Sequence, residues 1–360
     1  MTRQNWRQFD WLLFLAILLV SIFGVIMIHS AVKGDPELVD FPKRQAVYVA
    51  VGVALMFIVA AFNYQILRTF TIPFYVFVMA LLALVGALGQ TIFGAQSWLD
   101  FFGLFPIQPS ELAKVVLAMA LSGYLAPRLD RIGDIRVVLT GILITLPILL
   151  LVAIQPDLGT AIVLAVEAAF IFFVAGLYFR YILAAAFLAV LSAPLAWNML
   201  AEHQRTRILI FIDPTADPDA YFNVKQALVG VGSGGLLGKG YGQGTQSQLH
   251  FLRVRHTDFI FSVVAEELGF VGAAILLFLL FFIIWRLWRI ADRADEPFGK
   301  LLVAGLTGVI LFQTLVVVGM NMGLLPVTGL PLPFVSYGGN AMLSLMIFIG
   351  LAQSVAMRRT

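Results

Sequence analysis

Long apolar stretches recur along the chain, with short polar turns between most of them. Each is close to the ~20 residues a helix needs to cross a hydrocarbon core of ~30 Å. The pattern predicts ten spans, at about 11–31, 45–62, 70–88, 110–126, 136–154, 159–177, 180–200, 258–285, 300–323 and 339–356. Only Gln155-Pro156-Asp157 separates the fifth from the sixth, so nine is the alternative count. The first stretch is too long for a signal-peptide core and carries no small-residue cleavage site, which predicts a retained span. Residues 201–257 break the rhythm and are the one sizeable stretch outside the apolar segments. The expected architecture is an all-α integral membrane protein, 1–360 forming a single polytopic domain, with 201–257 a large extracytoplasmic loop between spans seven and eight.

Composition strengthens this picture. Of 360 residues, 61% are hydrophobic and 12% charged, where a soluble domain carries about 25% charged residues. The apolar excess has to face lipid. Net charge is +3, which argues against a nucleic-acid footprint. The chain has no cysteine, which excludes disulfides, thiolate metal sites and cysteine nucleophiles. No internal repeat or low-complexity tail stands out.

The placement of positive charge sets the orientation. With the N-terminus inside, the cytoplasmic segments hold Arg3, Arg7, Arg68, Arg128, Arg131, Arg136, Arg180, Arg286, Arg289, Arg293, Lys300, Arg358 and Arg359. The short external loops hold Lys33, Lys43 and Arg44. Both termini are therefore expected in the cytoplasm. The long loop is basic as well, but long loops escape the bias.

Ionisable side chains at membrane depth are costly and mark candidate function. Glu111 and Lys114 are three apart and share a helix face. They read either as a mutually neutralised pair or as a cavity lysine oriented by its glutamate. Asp157 sits at a helix start, as a cap or as a reactant. Glu167 lies deeper among apolar neighbours and reads as a core acid. Asp258 enters the eighth span from the basic loop, in Arg255-His256-Thr257-Asp258-Phe259. A carboxylate there can serve the helix dipole, or act as a general base at the lipid–water boundary.

Two backbone motifs accompany these acids. The run Gly232-Ser233-Gly234-Gly235-Leu236-Leu237-Gly238-Lys239-Gly240 lacks the spacing of a nucleotide-binding loop. It remains a turn whose amides and Lys239 could approach a diphosphate. Gly329-Leu330-Pro331-Leu332-Pro333-Phe334 is too proline-rich for a straight helix. Near membrane depth such backbone is tolerated where it is buried in protein or lines a cavity, and it is expected to form the cavity's opposite wall.

At these residues the chain resembles the SEDS (shape, elongation, division and sporulation) family. The matches are Gln108-Pro109-Ser110-Glu111-Leu112-Ala113-Lys114, Gln155-Pro156-Asp157-Leu158-Gly159-Thr160, the glycine run, His256-Thr257-Asp258-Phe259-Ile260-Phe261 with Glu266-Glu267-Leu268-Gly269, and Ser336-Tyr337-Gly338-Gly339. They keep family order and extend over nearly the whole chain. The stretch from Gly323 to Phe334 is closer to the elongation branch than to the division branch. Arg253-Val254 and Ala227 depart from the family pattern and bear on the shape of the loop.

The resemblance implies a peptidoglycan glycosyltransferase that polymerises lipid II at the outer face of the cytoplasmic membrane. Its implied partner is a class B penicillin-binding protein. Asp258 matches the family's essential acid and would be the catalytic base. Arg44, Lys114, Arg205, Arg207 and Lys239 would meet the diphosphate. Glu111, His256, Thr257 and Ser336 would line the substrate, while Trp98 would stack on a sugar or anchor at the interface. Magnesium or manganese could bridge carboxylate and phosphate, although the sequence carries no metal motif. Two rivals share the pattern: a lipid II flippase, which would depend on Glu167 and Glu266-Glu267 along its path, and a non-catalytic scaffold.

Overall fold

The computed structural model describes residues 5–92, 95–101, 105–249 and 251–359. Among them are α1 (Trp11–Val32), α2 (Phe41–Ala61), the short α3 (Tyr64–Thr69), α4 (Thr71–Leu88), α5 (Pro109–Leu125), α6 (Ile135–Ile154) and α7 (Leu158–Val174). There follow α8 (Phe179–Ala196), α9 (Glu202–Ile212), α10 (Pro218–Ser233), the single turn α11 (Thr245–Gln248), α12 (Ile260–Asp292), α13 (Pro297–Asn321) and α14 (Gly339–Ala356). The protein is an all-α integral membrane protein. Seven described helices are long and apolar enough to cross a membrane, and Thr71–Gly86, Leu158–Val174 and Phe179–Leu188 are shorter apolar helices. Together they occupy the ten expected positions.

Both ends of the chain lie at one end of the bundle. The Asn5 amide donates to the Met357 carbonyl at 3.0 Å. Asp10 caps α1 by accepting from the Leu13 amide at 3.0 Å, and pairs with Arg286 near the end of α12 at 2.6 Å. Ends that meet in this way are what an even number of crossings would give.

Without a hydrophobic force between lipid-embedded helices, close packing needs small residues. The structure uses them where α2 meets α14 and where α7 meets α13. Gly52 of α2 lies against Met346 of α14, and Gly350 of α14 lies against the Met56 backbone. Gly305 and Gly308 of α13 receive Ile171 and Phe170 of α7. By contrast α8 exposes Tyr181, Leu183, Phe187 and Leu188 and makes a small contact with α7.

Between α4 and α5 the chain forms a small antiparallel ribbon of β1 (Gln90–Ile92), β2 (Ala95–Phe101) and β3 (Phe105–Ile107). The apolar pattern gave no sign of it. Residues 201–257 are also more ordered than a loop, since α9, α10 and α11 together take up just over half of the segment and α10 packs on α12.

The glycine run closes a break in a helix. At Gly269, with φ +67°, α12 leaves helical geometry. The Lys239 and Gly240 amides donate to the Glu266 and Glu267 carbonyls, while Phe270 and Val271 donate to the Gly235 and Leu236 carbonyls. A side chain on Gly269 would collide with the Gly238 amide, so glycine is required there. The Gly238, Lys239 and Gly240 amides are thereby used within the protein and are not free for a diphosphate.

Candidate functional site

Asp258 stands in a turn, residues 254–259, just ahead of α12. Val254 opens the turn in the left-handed region at φ +54°, and its carbonyl accepts from the Thr257 amide at 3.2 Å and hydroxyl at 3.3 Å. The next four residues are each tethered to a different part of the chain. Arg255 donates to the Ala31 carbonyl at the end of α1 and pairs with Asp35 at 3.0 Å. The His256 carbonyl accepts from the Tyr337 amide at 2.9 Å. The Thr257 carbonyl accepts from the Ser336 hydroxyl at 2.7 Å. The Asp258 carbonyl accepts from Asn321 Nδ2 at 2.9 Å.

Asn321 also orders the first turn of α12. Its Oδ1 accepts from the Ser262 amide at 3.1 Å and from the Ser262 hydroxyl at 2.7 Å. The backbone of the turn is thereby fixed while the Asp258 carboxylate is left to the Thr257 hydroxyl and the field of Arg207. Burial pushes Asp258 up to about 6, against the pull of Arg207 and Thr257. A carboxylate with an affinity for protons near neutrality suits general-base work.

Arg207 comes from α9. Its guanidinium lies 3.1 Å from where a side chain on Gly329 would begin. Gly329 has φ +74°, so its glycine both makes the turn and leaves room for the arginine. The proline-rich segment after it is buried, with Leu330, Leu332, Phe334 and Val335 all at most 3% exposed. It is buried in protein, one of the two settings in which such backbone is tolerated near membrane depth. The start of α7 packs on it, since Gly159 abuts the Thr328 carbonyl.

On the other side of the turn, His256 packs edge-on to Phe41 at 5.1 Å, and Tyr337 stacks on Phe41 at 4.2 Å. Arg44 is hydrogen-bonded to Tyr337. Burial, with Arg255 nearby, lowers His256 to about 4, so it is a neutral imidazole at pH 7 and no cation for a phosphate. Its Nδ1 has no hydrogen-bond partner among the described residues.

Glu111 and Lys114 form a separate, interior centre. They pair at 2.7 Å with side chains 6% and 2% exposed, and Ser344 of α14 donates to the second Glu111 oxygen at 2.7 Å. Asp157 caps α7 through the Thr160 amide at 3.1 Å and feels both charges. Glu167 is fully buried, faces the field of Lys114, and has no hydrogen-bond partner on either oxygen among the described residues.

Three predicted substrate contacts are engaged elsewhere. Lys239 pairs with Glu266 at 2.7 Å and binds Thr245 at 2.9 Å. Arg205 ties α9 to the end of α8 through the Trp197 and Asn198 carbonyls at 3.0 and 2.7 Å. Ser336 spends its hydroxyl on the Thr257 carbonyl and the Leu332 amide. Each makes bonds within the protein that hold neighbouring segments together. Trp98 lies on β2, paired with Gln90 and half-buried, in the ribbon before α5.

Sequence reasoning missed Asn321 and Gln45. Gln45 accepts from the Gly338 amide at 3.1 Å and donates to the Ser336 carbonyl at 3.2 Å. Each is a buried amide in or at the end of an apolar helix, and that exception to the apolar pattern was the available signal.

For a divalent ion, the donor set is poor. No group of three or more His, Asp or Glu side chains among the described residues could enclose a metal. Asp258 faces an arginine in place of a second carboxylate. The residues do not fit a protein-held metal, and no step is derived through one.

The model of the FtsW, RodA and SpoVE family, described as cell cycle protein, matches residues 10–360. The peptidoglycan glycosyltransferase MrdB of Escherichia coli K12 is 38% identical over 352 residues, covering 96% of this chain and 92% of that protein. A chain from a peptidoglycan synthase complex, reported for the coordination of polymerization and crosslinking, superposes with a TM-score of 0.83 at 34% identity over 97% of both chains. The rod shape determining protein RodA of Thermus thermophilus gives 0.75 at 31% identity over 98% of both.

Proposed function

The chain belongs to the FtsW, RodA and SpoVE family and is a peptidoglycan glycosyltransferase, and we propose that it polymerises lipid II with Asp258 as general base. The observation that carries this reading is a carboxylate left to the Thr257 hydroxyl and the field of Arg207, on a turn tethered at four successive residues.

In the proposed reaction the 4-hydroxyl of one lipid-linked disaccharide attacks the anomeric carbon of another. Its proton passes to the Asp258 carboxylate as the new C–O bond forms. The bond from the anomeric carbon to the diphosphate breaks, its electron pair leaving with undecaprenyl diphosphate, and the configuration inverts. General-base assistance of this kind contributes about 10²–10⁴-fold. The leaving diphosphate needs preorganised positive charge, and Arg207 supplies it beside Asp258. Arg44 offers a second cation across the turn. Lys114 is neutralised by Glu111 and acts through the shape and field of the interior. The lipid diphosphate is already activated, so no nucleotide is required.

The rest of the proposal concerns setting. The arginine-rich end that carries both termini faces the cytoplasm, and the Asp258 end faces outward, in the bacterial cytoplasmic membrane. A class B penicillin-binding protein crosslinks the strands made here, during elongation and shape maintenance.

The test uses purified wild type and Asp258→Asn in liposomes with lipid II, with products resolved by length. Polymer from wild type and none from the variant is expected. Wild type that moves lipid II between leaflets without making polymer would support a flippase and return Asp258 to a helix cap.

A further inference from the structure

The end of the bundle where the termini meet carries charge that the Asp258 site does not use. Arg286, Arg289 and Arg293 recur at intervals of three and four near the end of α12, which puts them on one face of the helix. Arg359, just past the end of α14, lies in the field of Arg293 and Arg286 and of the acids Asp10 and Asp295. Asp10 is already taken, since it accepts from Arg286 Nε at 3.0 Å and Nη2 at 2.6 Å. Three arginines thus stand against two carboxylates, an excess of one positive charge.

The neighbours Arg358 and Arg359 are used differently. Arg358 donates to the Ala61 and Ser354 carbonyls at 2.9 and 3.0 Å and to the Ser354 hydroxyl at 2.7 Å. Arg359 is half-buried, and its enclosed Nε has no hydrogen-bond partner among the described residues. Burial pulls it below the ordinary arginine value, against Asp10 and Asp295 and with the help of Arg293 and Arg286. The dipoles of α12 and α14 favour cations at these helix ends. A dipole does not supply the acceptor that a buried N–H needs.

Tryptophans mark the depth of this group. Trp6, Trp11, Trp285 and Trp288 are 45%, 53%, 47% and 40% exposed, and tryptophans at a membrane boundary sit at headgroup level. The Arg289 and Arg286 guanidinium groups lie 4.9 and 5.7 Å from the Trp285 ring centre. The arginine face is therefore held where lipid phosphates lie. Basic groups between helices at this depth recognise anionic headgroups, and a guanidinium takes phosphate oxygens in a planar, bidentate way.

We propose that this end of the bundle binds an anionic phospholipid, its phosphate bridging Arg293 and Arg359 between the ends of α12 and α14 and its acyl chains lying along Trp285 and Trp288. The N-terminal segment is already clamped to α14, since the Asp10 amide donates to Gln353 Oε1 at 2.8 Å and the Gln353 side chain donates back to the Asp10 carbonyl at 3.0 Å. A phosphate at Arg359 therefore joins α1, α12 and α14. The site is separate from the glycosyltransferase chemistry and stands or falls without it.

The experiment is native mass spectrometry of the full-length protein, equilibrated in detergent with equal amounts of phosphatidylglycerol and phosphatidylcholine of identical chains. Wild type should retain phosphatidylglycerol over phosphatidylcholine by about tenfold or more. A basic side chain near a headgroup contributes about fivefold, so Arg359→Gln and Arg293→Gln should each lower the preference by about that factor. Arg293 is exposed, and its variant decides the matter if Arg359→Gln lowers the melting temperature. Arg131→Gln, an exposed arginine in the α5–α6 connection, should leave the preference unchanged. Excess inorganic phosphate should not displace the lipid, because it has no chains to lie along the tryptophans.

Absence of any preference in wild type would overturn the proposal and leave the arginine face to an acidic protein partner. It is equally overturned if folded Arg293→Gln keeps the full preference, if Arg131→Gln loses as much, or if inorganic phosphate displaces the lipid.

Discussion

Two sets of acids lie eight residues apart, around the start of α12, and the protein treats them in opposite ways. Glu266 and Glu267 are saturated. Glu266 accepts from Lys239 at 2.7 Å, Thr245 at 3.0 Å and the Gln246 amide at 3.1 Å. Glu267 accepts from the Ser30 hydroxyl at 2.7 and 2.6 Å, with the Gly242 and Gly244 amides also bonded to it. At Asp258 the bonding is inverted: the backbone carries the tethers and the carboxylate is left available. A buried charge whose every lone pair is occupied holds structure together, whereas one that faces a cation without pairing can exchange a proton.

The largest expected effect separates the two sets. Asp258→Asn should lower polymerisation by about 10³-fold or more without lowering the melting temperature. The sign follows from linkage: burial raises Asp258 to about 6 in the folded protein, so ionisation costs stability as pH rises through that value, and removing the charge does not destabilise at pH 7.

Glu266→Ala should do the reverse. It leaves Lys239 and the Gln246 amide without their partner, and loss of one member of a buried pair costs ~3–5 kcal/mol. A fall in melting temperature and membrane abundance is expected, with residual activity in proportion to folded protein. Normal stability of Glu266→Ala would collapse the distinction between the two sets.

Asn321→Ala tests whether tethering matters to chemistry. It should reduce kcat by about tenfold with a smaller change in KM, since near-attack geometry depends on sub-ångström placement. An equal fall in folded protein and activity would make Asn321 purely structural. Asn321→Asp keeps the acceptor for Ser262 but sets an oxygen against the Asp258 and Val317 carbonyls, so it should be slow as well.

The smallest effect sharpens the electrostatics. Activity of wild type should rise with pH through about 6 as Asp258 ionises. In Arg207→Gln the midpoint should move upward, because Arg207 favours the ionised form. A midpoint unchanged by the substitution would show that Arg207 does not sense the base.

Much of the fold was legible because lipid imposes a single rule. The ten apolar segments, Asp157 as a helix cap and the buried proline-rich wall follow from residue type and local order. The Glu111–Lys114 pair was legible from a spacing of three. The ribbon over 90–107 was not, since its strands are short and their pairing is set by neighbouring backbone. The internal partners of Lys239, Arg205 and Ser336 were not legible for a related reason. Each is polar and near a motif, but its partner comes from another part of the fold.

The sequence by itself determined the medium, the apolar segments and the acid most worth testing. These depend on hydrophobic length, charge placement and residue type, which are properties of short segments. Tertiary structure decided which charged groups are spent and which are free. Ser30 reaches Glu267 across 237 positions and Asn321 reaches the Asp258 carbonyl across 63. In a low-dielectric interior the availability of a carboxylate is set by the bonds it receives, and those bonds arrive from segments that only folding brings together.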